Sequence, residues 1–322
     1  MDELSCLGPS RCEFGLTPPT HPMRHPPLSP STRFSALLCS LAMSCVASLS
    51  GAAELPVKTG EKVAFMGDSI TAGGFGNPGG YVRLVMLGLE ANGVKAGVIP
   101  AGVSGHKSNQ MLARLENDVL NKKPQWMTLS CGVNDVWHGA NGVPLDAYKS
   151  NINAILDKCQ QAGVKVMILT STMIGETPGD NNTKLIVYND FLRATAKERH
   201  LLLADLSADM QQAVTARAAA TGAKPGWLLT MDGVHMNPVG DEMMATGVLK
   251  AFGLDDAQMQ KARAAWATLR SVTSINVSVS LSMQQFQQLS LIAGKQGKSV
   301  GALLGPELNK ELDAVIKNTA AK

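Results

Sequence analysis

Residues 62–71, Lys62-Val63-Ala64-Phe65-Met66-Gly67-Asp68-Ser69-Ile70-Thr71, set the reading of the whole chain. A short apolar run, Lys62–Met66, meets a Gly-Asp-Ser turn and then residues that can open a helix. The run is too short for a buried helix and ends at a glycine, which marks a buried strand. Four runs of the same kind follow at Lys95–Pro100, Trp126–Cys131, Val164–Thr170 and Leu201–Asp205. Longer stretches lie between them at Tyr81–Glu90, Ser108–Leu120, Leu145–Gln161 and Lys184–Arg199. The third puts Leu145, Tyr148, Ile152, Ile155, Leu156 and Cys159 on one helical face. Repeated β-α units with continuously apolar strands predict a three-layer α/β/α sandwich. Its parallel sheet, of about five strands in a flavodoxin-like arrangement, is covered by helices on both faces. Ligands of such sheets bind at the carboxyl ends of the strands, so chemistry is expected after Met66, Pro100 and Cys131.

Polar motifs stand at those three places and at a fourth. Ser69, at a strand-to-helix turn, can expose its hydroxyl beside backbone N–H groups, as an acyl-transfer nucleophile requires. Gly-Asp-Ser alone is also a common turn tripeptide. Ala101-Gly102-Val103-Ser104-Gly105 follows the second strand; its glycines let backbone amides approach a ligand, or simply make turns. Gly132-Val133-Asn134-Asp135 follows the third, where Asn134 offers a side-chain donor or a cap for the next helix. Asp232-Gly233-Val234-His235 pairs a base that can take a serine proton with a carboxylate that can hold its other ring nitrogen. A DxxH pair can also ligate a metal, but no third and fourth ligand stands at suitable spacing. His106 and His138 fall in strand-end loops and can line a site; His200 precedes a strand and belongs at the opposite edge.

The four elements, in this order and separation, resemble the four blocks of the SGNH (GDSL-type) hydrolases. The likeness runs from about Lys62 to Phe252 and extends between blocks, through Ala113-Arg114-Leu115, Pro124-Gln125-Trp126 and Met236-Asn237-Pro238-Val239-Gly240. It implies a serine esterase with Ser69 as nucleophile, His235 as general base and then acid, and Asp232 orienting it. The implied oxyanion hole is the Ser69 N–H, the Gly105 N–H and the Asn134 side chain, and no metal or organic cofactor is required. The implied substrate is a small carboxylic ester, foremost a short acyl group such as acetyl on a carbohydrate. A lipid-acyl ester or thioester is the alternative, and a non-catalytic binding module on the same fold a third reading. One departure is Pro100, where many members carry Asn before the glycine block.

Outside this region the chain divides into a leader, 1–53, and a tail, 255–322, around a hydrolase domain at 54–254. Phe34 to Ala53 carries no charge, follows Arg33 and ends in small residues, the pattern of a signal peptide and of a secreted or periplasmic protein. It is too brief and too rich in Ser and Ala for stable membrane insertion. The net charge of +3 is too slight to imply a nucleic-acid or membrane-surface partner. Cys6, Cys12, Cys39 and Cys45 fall in the leader, which leaves Cys131 and Cys159, expected as two separate buried thiols. The tail combines a charged helix, Asp255–Arg270, an alternating segment, Ile275–Leu281, and two helical runs, Met283–Ala293 and Val300–Ile316. This small α+β module resembles a ribbon-helix-helix unit. Its strand positions Asn276, Ser278 and Ser280 include no Arg or Lys for phosphates, which favours homodimer formation through residues 271–322 over nucleic-acid binding.

Overall fold

The computed structural model describes residues 54–273 and 279–320. The leader and most of the alternating segment at 275–281 lie outside the described residues. Five strands form one parallel sheet: Lys62–Gly67 (β1), Gly97–Gly102 (β2), Trp126–Ser130 (β3), Lys165–Leu169 (β4) and Leu202–Ala204 (β5). Helices Ser69–Gly76 (α1), Tyr81–Ala91 (α2), Ser108–Asp118 (α3), Val133–Trp137 (α4), Leu145–Gln161 (α5), Asp180–Glu198 (α6), Leu206–Thr221 (α7) and Pro238–Ala251 (α8) link or follow the strands. Asp256–Trp266 (α9), Met283–Lys295 (α10) and Val300–Ala320 (α11) complete the chain.

The strand order is β2-β1-β3-β4-β5, so the winding reverses between β1 and β3. That reversal opens a crevice at the carboxyl end of the sheet. Strand β2 runs later than its apolar run because its pairing with β1 joins Lys62 to Gly97 and Gly67 to Gly102. As the edge strand it tolerates Pro100, whose missing N–H costs no ladder bond on the unpaired side.

Side-chain alternation splits the core in two. Val63, Phe65, Met167 and Leu169 point to one face and pack with Tyr81, Val85, Met210 and Val248 of α2, α7 and α8. Ala64, Met66, Met127 and Leu129 point to the other and pack with Met111, Leu115, Ile152, Ile155 and Leu192 of α3, α5 and α6. The periodicity missed α7 and α8.

The boundary expected at 254 falls inside this packing. Helix α9 lies against α2 and α8, with Met259, Ala262 and Trp266 buried in the first cluster. The Trp266 indole N–H donates to the Leu84 carbonyl at 2.8 Å. The α/β unit therefore continues through α9, and Val272 still touches it at Gly79. Helices α10 and α11 pack on each other, and among their described residues only Ala293 is buried. Cys131 and Cys159 are buried, unpaired thiols. Among the described residues no helix is long and apolar enough to cross a membrane.

One buried carboxylate makes the fold sensitive to pH. Asp241, in the first turns of α8, accepts the Tyr81 N–H at 2.9 Å, and burial lifts its pKa to about 7 against that bond. A raised carboxyl binds its proton in the folded state at pH values where the unfolded chain has released it. Stability therefore falls as pH climbs from the ordinary carboxylate range through 7. Asp241→Asn keeps the acceptor and removes the titration. Its Tm should drop less than the parent's between pH 5 and pH 8, by a few degrees, since about 1 kcal/mol moves Tm by about 2–4 °C in a domain of this size. Calorimetry at both pH values checks this, and an equal drop in both proteins counts against it.

Candidate active site

Three loops meet at the carboxyl edge where the winding reverses, and each is fixed by its own local chemistry. After β1, the Asp68 side chain caps α1 by accepting the Ile70 N–H at 2.9 Å. This cap starts the helix at Ser69, whose backbone N–H belongs to the first turn and has no partner within the helix. After β2, Gly105 has φ +76°, a left-handed conformation that suits glycine and turns the chain toward α3. After β3, Asn134 is the second residue of α4, whose cap residue is Gly132 without a side-chain cap bond.

The fourth loop crosses from beyond β5. An isolated bridge between Thr230 and Met236 closes its base, and the Met231 N–H donates to the His235 carbonyl at 2.8 Å. Asn237 then caps α8, accepting from the Val239 and Gly240 N–H groups, with Pro238 at the first helical position. The tip carries Asp232 and His235. Asp232 Oδ1 accepts the backbone N–H groups of Val234 at 3.0 Å and His235 at 2.8 Å. Its Oδ2 stands 2.6 Å from His235 Nδ1, and His235 Nε2 stands 2.8 Å from Ser69 Oγ. With Nδ1–H donating to Asp232, the other ring nitrogen is left to accept the Ser69 hydroxyl, a tautomer assigned from this network. Burial works to raise the Asp232 carboxyl, but His235 and the two backbone N–H groups outweigh it and hold it below the ordinary range.

Ser69, Ser104, Gly105, Asn134, Trp137, His138 and His235 line one open cleft of about 440 Å³. The structure thus brings Ser69, Gly105, Asn134 and His235 together, with Asp232 behind the imidazole. Of the other histidines, His138 lines the cleft. His106 contributes its carbonyl, while its ring accepts from Arg114 Nε at 3.0 Å. Burial, then the Arg114 charge, lowers the His106 pKa. His200 sits with Trp126 and Lys165 at the opposite edge of the sheet. A groove of about 500 Å³ between α6 and α7 contains no member of the Ser69–His235–Asp232 chain.

Sequence reading missed two acidic residues here. Asp68 is buried beneath Ser69 and also accepts from Asn134 Nδ2 at 3.2 Å. Its pKa rises to about 6, through burial first, opposed by the Ile70 N–H, with the neighbouring Asp135 charge adding to the rise. Its signal was present, an Asp immediately before a helical run. Glu176 carried no signal, because every one of its partners lies at least fifty residues away.

Comparison with known proteins places this geometry. Residues 65–243 match the profile of the GDSL-like lipase/acylhydrolase family. An acetylxylan esterase from Geobacillus stearothermophilus is 27% identical over 221 residues, which are 62% of this chain and 98% of that protein. Esterase TesA of Pseudomonas aeruginosa is 31% identical over 126 residues, 38% of this chain and 61% of its own length. Among solved structures, the acetyl xylan esterase AlAXEase superposes with a TM-score of 0.55 at 32% identity, covering 59% of this chain and 98% of that one.

Proposed function

Starting from the fact that this chain belongs to the GDSL-like lipase/acylhydrolase family and is a carboxylic ester hydrolase, we propose that it removes short acyl groups, foremost acetyl, from a carbohydrate. In this reading Ser69 attacks the ester carbonyl, His235 takes its proton and returns it to the leaving alcohol, and Asp232 orients the ring and stabilises the imidazolium. The Ser69 and Gly105 N–H groups and the Asn134 amide receive the oxyanion. The observation that carries the proposal is the unbroken chain of contacts at 2.8 and 2.6 Å from Ser69 Oγ through His235 to Asp232. Two features support the substrate. The acetylxylan esterases are similar over nearly their whole length, and Trp137, 43% exposed, lines the cleft and offers an aromatic side chain that suits a sugar face. Delivery by the leader at 1–53 would bring the enzyme to polysaccharide outside the cytoplasm.

The test is a substrate panel. p-Nitrophenyl acetate, butyrate and octanoate, run beside acetylated xylan and pectin, should give kcat/KM falling from acetate to octanoate and acetate release from a polysaccharide. Preference for octanoate, with no release from either polysaccharide, would transfer the enzyme to lipid-acyl esters. Absence of fluorophosphonate labelling at Ser69 would support the binding-module reading.

The tail is assigned to assembly, with a second copy of the chain as its occupant. Helices α10 and α11 expose Phe286, Leu291, Ile292, Leu312, Val315 and Ile316, too much apolar surface for a hairpin whose described residues bury only Ala293. The alternating Ile275, Val277, Val279 and Leu281 just before it are the pattern of a strand that needs a partner strand, and self-pairing closes under two-fold symmetry. A chain ending after Thr273, which retains Val272 against Gly79, should keep its small-ester activity and scatter light as a monomer. The full chain should scatter as a dimer. Equal masses per chain in both would end the idea.

A further inference from the structure

The turn after β4 holds a carboxylate with an unusual number of partners. Glu176 is 1% exposed, and its two oxygens accept five hydrogen bonds. Oε2 receives the N–H groups of Gly226 at 2.8 Å and Leu228 at 2.9 Å. Oε1 receives the N–H groups of Leu229 at 2.7 Å and Thr230 at 2.8 Å, and the Thr230 hydroxyl at 2.8 Å. All five donors lie in the segment that runs into the Asp232–His235 loop. Beside them the Gly175 N–H donates to the Gly233 carbonyl at 2.6 Å. Gly233 has φ +91°, and a Cβ there would lie 3.4 Å from Gly175 Cα, so the two turns touch backbone to backbone.

The turn that carries Glu176 is itself held. Asn182 of α6 accepts the Ile174 N–H at 2.9 Å and donates to the carbonyls of Ile174 at 2.7 Å and Thr177 at 2.6 Å. Glu176 adopts φ +52°, a left-handed conformation that a non-glycine side chain keeps only where its surroundings require it. Four backbone N–H groups and one hydroxyl converging on one carboxylate form an anion seat, and here the anion belongs to the protein.

We infer that Glu176 is a positioning residue for the ester hydrolysis: it sets the height and angle at which the 226–235 segment presents Asp232 and His235 to Ser69. The inference rests on the proposed Ser69–His235–Asp232 mechanism and extends it to a side chain outside the family's four blocks. The seat favours the ionised acid. Burial would raise the Glu176 carboxyl, but the Gly226, Leu229 and Leu228 N–H groups and the Thr230 hydroxyl together hold it below the ordinary range. A neutral isostere removes the charge the donors converge on and turns an amide N–H₂ against at least one of them. The loop then relaxes, and His235 moves relative to Ser69 without losing any reacting atom.

The test uses the full chain with p-nitrophenyl acetate. Glu176→Gln should lower kcat by about 10–100-fold, the cost of an ångström-scale misplacement, while KM changes by less than about threefold. The downfield proton resonance of the His235–Asp232 bond should broaden or shift in the same protein. Val214→Ala, which opens the core of α7, should lower Tm with parental kcat and an unchanged resonance. Parental kcat in folded Glu176→Gln overturns the inference. If that variant does not fold, Thr230→Val removes one of the five donors, and kcat should fall about threefold; parental kcat there overturns the inference equally. A parallel Ser69→Ala separates the two readings. If Ser69→Ala stays active, the mechanism itself is wrong. If it is dead and Glu176→Gln is parental, the mechanism stands and only the role of Glu176 falls.

Discussion

Ser69→Ala and His235→Ala are each expected to lower kcat on p-nitrophenyl acetate by about 10⁴–10⁶-fold, with circular dichroism and Tm at parental values. The size follows from the division of labour. A serine hydroxyl is a weak nucleophile until its proton has somewhere to go, and His235 Nε2 is the acceptor 2.8 Å away. In the proposed mechanism, removing either partner removes the covalent route, so the two losses should be similar and the double variant hardly worse than either single one. Neither substitution threatens the fold. Ser69 opens a helix capped by Asp68, and the His235 side chain is 36% exposed on a loop closed by backbone bonds. Asp232→Asn should cost less, about 10²–10⁴-fold, because the orienting group is half-exposed and water can take over part of its charge stabilisation. Burst kinetics and fluorophosphonate labelling on the same preparations check the assignment. Turnover within tenfold of the parent in either Ser69→Ala or His235→Ala, at matched dichroism, would remove that residue from the chemistry.

The fold and the site differ in how far the sequence alone reveals them. Buried parallel strands are continuously apolar, so Lys62–Met66 and Trp126–Cys131 were visible as local runs, and the motifs at their ends lay where the sheet delivers them. Helix α9 was visible too, but its charge suggested a new module. Its inward residues, Met259, Ala262 and Trp266, are spaced three and four apart and seat it in the existing core. Periodicity, weighed above composition, would have kept it with the hydrolase. Helix α7 was hidden by its alanines, which form a helix without drawing an apolar stripe. Glu176 was beyond reach for a different reason. In Ile174-Gly175-Glu176-Thr177-Pro178 it reads as a solvated loop acid, and only tertiary structure supplies donors from Gly226 to Thr230. Cap and turn signals act over a few residues, whereas this contact closes a loop of fifty.

Asn134→Ala is expected to lower kcat by about 100–1000-fold with KM nearly unchanged. The simplest competing role, a cap for α4, does not fit, because the cap position is Gly132 and Asn134 lies inside the helix. The stronger competitor is structural in another way. Asn134 Nδ2 donates to Asp68 Oδ2 at 3.2 Å and to the His106 carbonyl at 3.3 Å, so the amide ties together the loops after β1, β2 and β3. Both bonds are long, and the side chain lines the cleft beside Ser69 and Gly105. An N–H held loosely in the resting enzyme can turn to a stronger acceptor when one forms. In the proposed mechanism the tetrahedral oxyanion is that acceptor and the planar ester oxygen is not, so the gain would arise in the transition state and appear in kcat. A strut between loops predicts a different pattern: a lower Tm, a shifted Ser69 and losses spread over kcat and KM. Asn134→Asp sharpens the contrast. It keeps the shape but replaces the donor with a carboxylate facing buried Asp68, whose pKa is already lifted to about 6. Its kcat should fall at least as far as that of the alanine variant, and further as pH rises from 5 to 8 and the new carboxyl ionises beside the developing oxyanion. Steady-state kinetics across that range, with Tm measured on the same samples, distinguish the two roles; parental kcat in Asn134→Ala would take Asn134 out of the oxyanion hole.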